Sequence, residues 1–164
     1  MKEFRRKKNR LPKEYYKDAQ ILSITICCAI KKAVFNSREI VNHHFEALKK
    51  ALSNYEAELW AYCFMPDHVH FPIEGHSGND VLDSVKLYKQ TRGYHYKQKT
   101  GHNLWHKSWF DHVLRRDEDI RKIVHYIFEN PIRRGLTSDF RKYPFLGTDV
   151  VEIKEYLNFG SGNL

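Results

Sequence analysis

An α+β sandwich, in which helices pack on one face of a four-stranded antiparallel sheet, is the fold class the sequence predicts. Three observations lead there: period-2 or β-branched stretches that read as strands, longer segments with apolar residues at helical spacing, and their order of strand, helix, strand, strand, helix, strand, helix. The chain has 164 residues, close to the usual size of one domain and too short for two ordinary ones.

Leu22, Ile24, Ile26, Cys28 and Ile30 alternate with smaller or more polar neighbours across residues 20–30, the pattern of a half-buried strand. Ser37 can cap a helix in which Val41, Phe45, Leu48 and Leu52 recur on one side as far as Asn54. Strands follow over Glu58–Phe64 and His68–Glu74. Met65-Pro66-Asp67 joins them, with Pro and Asp favouring a tight connection. After a loop over 75–79, the segment from Asp80 to about Gln98 places Val81, Leu82, Val85 and Tyr88 on one face of a second helix. Asn103–Leu114 is rich in aromatic residues and holds the fourth strand with an irregular lead-in.

Asp117 is the expected cap of a third helix, along which Ile120, Ile123, Val124, Ile127 and Phe128 form an amphipathic stripe ending at Pro131. A loop over 137–148, a short helix over 150–157 and a disordered Gly160-Ser161-Gly162 tail complete the reading. This order is that of a ferredoxin-like, RRM-like sandwich whose opposite sheet face is left for ligand.

Lys and Arg number 28 against 20 Asp and Glu, a formal net charge of +8, and the sequence pI is about 9.3. That balance suits a polyanion binder, nucleic acid first. The run Lys2 to Arg10 repels itself and reads as a basic arm over 1–14. Cys27, Cys28 and Cys63 have neither C-x-x-C spacing nor an even count, which argues against a zinc ribbon or a disulfide framework. The basic start lacks the long apolar run of a signal peptide, and no stretch is apolar enough to span a bilayer. The expectation is a cytoplasmic protein with no membrane partner.

Successive side chains of a strand point to opposite faces, so His68 and His70 project together while Val69, Phe71 and Ile73 face the core. Such an imidazole pair is half a metal site; taken alone, the pattern is common and favours two surface or hydrogen-bonded histidines. At about 100° per residue, Tyr126 lies well away from the apolar stripe of the third helix, and Asn130, four residues on, falls on the same side. Ordinary amphipathic packing also accommodates a lone tyrosine there. Two prolines perturb the geometry. Pro72 removes a ladder donor from the histidine strand and demands an edge, a bulge or an early end; Pro131 biases Asn130 away from the α region.

The segments Pro66-Asp67-His68-Val69-His70, Leu104-Trp105-His106 and Tyr126-Ile127-Phe128-Glu129-Asn130-Pro131, followed by Gly135, occur together and in order. From about Tyr15 to Leu136 the chain resembles the REP-associated tyrosine transposases, relatives of the single-tyrosine insertion-sequence transposases. The resemblance implies an HUH transposase domain over 15–136, with 137–164 as an extension of it. It implies Mg²⁺ or Mn²⁺ held by His68, His70 and Asn130, and Tyr126 attacking single-stranded DNA to leave a 5′-phosphotyrosine and a free 3′-hydroxyl. It also implies hairpin-forming substrates, and it admits a homodimer, since transposases of this broad group can exchange tyrosine-bearing helices.

The chemistry is coherent. A free phenol, with pKa about 10, is a poor nucleophile at neutral pH until a cation or base favours the phenolate. Single strands bind basic grooves with aromatic platforms. Lys86, Lys89, Arg92, Lys97, Arg115, Arg116, Arg133 and Arg134, with Tyr94, Tyr96, Trp105 and Trp109, are the candidates. Two other readings use the same residues: a nuclease whose metal-activated water attacks DNA, and a non-catalytic single-strand-binding module.

Overall fold

The structure, a computed structural model, describes residues 20–29, 33–76, 80–115 and 118–158. The expected arm, disordered tail, Arg116 and Asp117 lie outside the described residues. Strand β1 (Ile21–Cys27) is followed by α1 (Arg38–Ser53), β2 (Glu58–Leu59), β3 (Tyr62–Met65), β4 (His68–Glu74), α2 (Val81–Thr100) and β5 (Phe110–Val113). Then come α3 (Ile120–Phe128), α4 (Asn130–Arg133), a 3₁₀ turn (Phe140–Lys142), β6 (Leu146–Gly147) and α5 (Val151–Tyr156).

The sheet runs β5-β1-β4-β3-β6, with β2 also on β4, and its pairings are antiparallel. The expected fold class is the observed one, with six strands instead of four. One addition is β6, two residues within the expected 137–148 loop. The other comes from the predicted strand 58–64, which divides into β2 and β3. Pro72 explains the division. It sits in the middle of β4, opposite Ser23 of β1, and its carbonyl accepts from Trp60 N at 3.0 Å. The reciprocal donor does not exist in proline, so the chain breaks pairing at Trp60 and Ala61. The Trp60 carbonyl is satisfied instead by the Thr148 hydroxyl at 2.6 Å.

One core lies where the sequence places it. Leu22, Ile24 and Ile26 of β1 and Val69, Phe71 and Ile73 of β4 are buried against Val41, Leu48 and Leu52 of α1 and Val81, Val85 and Tyr88 of α2. Ser37 caps α1 and Asp80 caps α2. α2 ends at Gly101, whose φ of 76° is the left-handed conformation that glycine adopts without steric cost.

The opposite face is only partly open. Ala61, Cys63 and Met65 are buried there against Val124, Ile127 and Phe128 of α3 and Phe140, Tyr143, Leu146, Ile153 and Leu157. The third helix therefore packs on the face that the sequence reading leaves for ligand, and the open part narrows to β1 and β5. Its cap is Asp119, which accepts from Arg121 N at 2.9 Å, not Asp117. No helix among the described residues is long and apolar enough to cross a membrane.

Candidate active site

Cross-strand register assembles the site. His70 stands opposite Thr25 of β1 and Cys63 of β3, and His68 opposite Cys27 and Met65. Directly opposed residues share a face. The two histidines therefore lie on the face where α3 covers Cys63 and Met65. Their rings meet edge to face with centroids 4.7 Å apart.

Each imidazole is held through Nδ1. His70 Nδ1 is hydrogen-bonded to Thr25 Oγ1 at 2.8 Å, and His68 Nδ1 to Asp67 Oδ1 at 2.7 Å. With Nδ1 so engaged, Nε2 is the nitrogen each ring has left for another partner. His70 Nε2 is buried with no hydrogen-bond partner. Burial, and after it the charges of His68 and Arg133, lower the His70 pKa to about 3, so the ring stays neutral and able to donate its lone pair. Burial raises the Asp67 carboxyl, but the hydrogen bond from His68 and the charges of His68 and Arg134 outweigh this and hold it below the usual range. Arg134 donates to Asp67 Oδ1 at 3.3 Å, tying α4 to the β3–β4 turn.

Tyr126 is on the solvent side of α3, 62% exposed. The Arg133 guanidinium lies 4.1 Å from its ring centroid and donates to the Tyr126 carbonyl at 2.6 Å. Arg133 also donates to Asn130 Oδ1 at 3.0 Å, and Asn130 Nδ2 donates to the Ile127 carbonyl at 2.9 Å. Asn130 opens α4 rather than continuing α3, as Pro131 demands. Its carbonyl oxygen keeps a second lone pair for a cation. Among the described residues no group of three or more His, Cys, Asp or Glu could hold a metal.

The basic residues named from sequence do not form one surface. Arg133 and Arg134 stand at the histidine site, and Arg115 beyond β5. Lys86 pairs with Asp83. Lys89 donates to the His106 carbonyl at 2.8 Å and lies 5.1 Å from the Trp109 ring centroid. These two and Arg92 belong to α2, across the sheet. Trp105 is not an exposed stacking platform. It is 8% exposed, with ring centroids 5.7 Å from Tyr88 and 5.8 Å from His44, and Trp109 is likewise buried. The exposed aromatic on the histidine face is Phe110, 59% exposed and opposite Thr25. Sequence reading passed over Thr25 and Asp67 as supports, and over Phe110. Of these only Asp67, next to His68, carried a local signal.

Residues 17–130 match the family model described as "Transposase IS200 like". A Haemophilus influenzae protein named as a REP-associated tyrosine transposase is 24% identical over 119 residues, 65% of this chain and 68% of the relative. The REP-associated tyrosine transposase of Escherichia coli K12 is 27% identical over 93 residues, 54% of this chain and 52%, about half, of that protein. The structure of a REP-associated tyrosine transposase bound to a REP hairpin superposes with a TM-score of 0.68 at 22% identity, covering 89% of this chain and 82% of that one. That likeness is one of fold, and the family match spans most of the chain, which belongs to the IS200-like transposase family.

Proposed function

We propose that this transposase cleaves and rejoins single-stranded DNA with Tyr126 as nucleophile, on substrates with hairpin-forming ends such as the REP hairpin of its structural relative. The reading rests on one juxtaposition: α3 lies on the histidine face, and Arg133 both stacks on Tyr126 and acts electrostatically on His70. In the reaction the Tyr126 oxygen bonds to phosphorus and the bond to the 3′ oxygen breaks. The phenol proton ends, in net balance, on the departing 3′-hydroxyl. Bond energy kept in the phosphotyrosine lets a 3′-hydroxyl attack in turn and reseal the strand.

His68 and His70, with Asn130 as third donor, would hold Mg²⁺ or Mn²⁺. Such an ion, when bound, polarises the scissile phosphate and neutralises charge on its oxygens. The residues have separate tasks. Thr25 and Asp67 fix the imidazole orientations, Arg133 holds the Tyr126 ring and adds a positive charge beside it, and Arg134 anchors α4 through Asp67.

The test is incubation of labelled hairpin oligonucleotides with protein and Mn²⁺, followed by denaturing electrophoresis. A band shifted by covalent protein is expected, and Tyr126→Phe should remove both that band and the nicked product while DNA binding persists. Continued nicking by Tyr126→Phe would instead identify water as the nucleophile. Binding that ignores chelator, with no cleavage, would identify a non-catalytic module.

A further inference from the structure

A second concave site lies across the sheet from Tyr126. Beyond Tyr88, α2 runs past the core, and the segment from Asn103 to Lys107 returns beside it. Between them is a cavity of about 330 Å³ whose lining includes Gly93, Tyr94, Lys97, Trp105 and Lys107. None of the described lining residues is acidic. Tyr94 is 63% exposed, so its ring can receive a partner. Trp105 is more than nine-tenths buried, yet its Nε1, which can only donate, has no hydrogen-bond partner.

Gly93 lies against that indole edge, whose Nε1 is itself buried. A Cβ at position 93 would stand 3.4 Å from Trp105 Cδ1 and 3.9 Å from Nε1, and a longer side chain would fill the cavity. Glycine inside a helix weakens it, so its presence here favours the opening over helix stability. The cavity also adjoins the candidate active site in space. His106 N donates to the Cys27 carbonyl at 3.0 Å, Trp105 bridges to Cys28, and Cys27 is the cross-strand partner of His68.

We infer that the cavity is a subsite for one unpaired nucleotide of the DNA strand. The base stacks on the exposed Tyr94 ring, and the phosphate lies between Lys97 and Lys107. The volume is at the small end of ligand sites, about 300–1,000 Å³, which suits one nucleotide and excludes a duplex. Every base offers a π-face, so the subsite tolerates sequence variation. The inference rests on the single-stranded DNA reading above.

The test measures binding in the Tyr126→Phe background, with a fluorescent DNA hairpin carrying an unpaired flank and with its blunt, fully paired counterpart. Gly93→Leu, which blocks the cavity without changing charge, should weaken the flanked hairpin about tenfold and leave the blunt one unchanged. Lys97→Ala with Lys107→Ala should do the same and lower the salt dependence of binding, log K against log salt, by about 1. These lysines are exposed, so the pair remains decisive if Gly93→Leu fails to fold. Unaltered binding, or equal weakening of both hairpins, would overturn the subsite. Covalent adduct formation by the protein with Tyr126 intact is scored separately. A chain that forms the adduct but binds normally with its cavity altered loses only this inference, and one that binds neither hairpin loses it together with the single-strand reading.

Discussion

At the scale of single residues, the site is governed by what holds the histidines. Thr25 contributes one hydroxyl, but that hydroxyl orients His70 through Nδ1 and so determines where Nε2 points. Thr25→Val conserves the volume and deletes the bond. Mn²⁺ affinity, followed by calorimetric titration, should fall about 10–100-fold with the far-ultraviolet circular dichroism unchanged; unchanged affinity would remove Thr25 from the site. Burial also sets the acid response. His44, hydrogen-bonded to Tyr88 at 3.0 Å, has its pKa lowered to about 3 by burial and then by the charges of Arg92 and His43, and His70 is lowered to about 3 as well. Both lie below the ordinary 6.5, so the unfolded chain takes up protons first as pH falls. Their contribution is complete above about pH 6.5 and is lost progressively toward pH 3, at about 1.4 kcal/mol per pH unit for each ring. Urea unfolding of metal-free protein at pH 7 and pH 5 should therefore differ by a few kcal/mol, and equal stabilities would contradict the burial of both rings.

At the scale of elements, the informative feature is how a proline is accommodated inside a central strand. The split between β2 and β3 and the bond from Thr148 to the Trp60 carbonyl are one device, since each answers the donor that Pro72 lacks. Thr148→Val should leave that carbonyl without its partner and cost about 1–3 kcal/mol, measurable by chemical denaturation. A neutral result would mean that the carbonyl is satisfied elsewhere. β3 also explains why α3 can lie where it does. Phe64 faces the α1–α2 core while Ala61, Cys63 and Met65 face α3. The continuous apolar run from Ala61 to Met65 is what a strand buried on both faces looks like in sequence.

At the scale of the whole molecule, the sheet separates two apolar clusters with different work. The α1–α2 side supplies the main core, and the α3–α5 side fixes the tyrosine helix against the histidine face. Metal binding should couple these tasks to global stability. Mn²⁺ at one hundred times its Kd is expected to stabilise the folded chain by about 2.7 kcal/mol, seen as a raised thermal midpoint, with no rise in His70→Ala. A rise of equal size in His70→Ala would place the ion elsewhere. The net charge of +8 is divided across the molecule, with Arg133 and Arg134 at the candidate active site and Lys97 and Lys107 at the α2 cavity.

Legible in the sequence were the main alternation of strands and helices, the apolar face of β4, the pairing of His68 with His70, and the short motifs that carry the family resemblance. These are local properties, written in periods of 2 and 3.6 residues and in short fixed spacings. Packing between distant segments set the rest: Thr25 supports His70 from 45 positions away, Trp105 is buried rather than offered to DNA, and α3 covers part of the second sheet face. Strand register and helix docking caused these outcomes. Both arise from contacts between distant segments, whose energies depend on pairing geometry that no local pattern encodes.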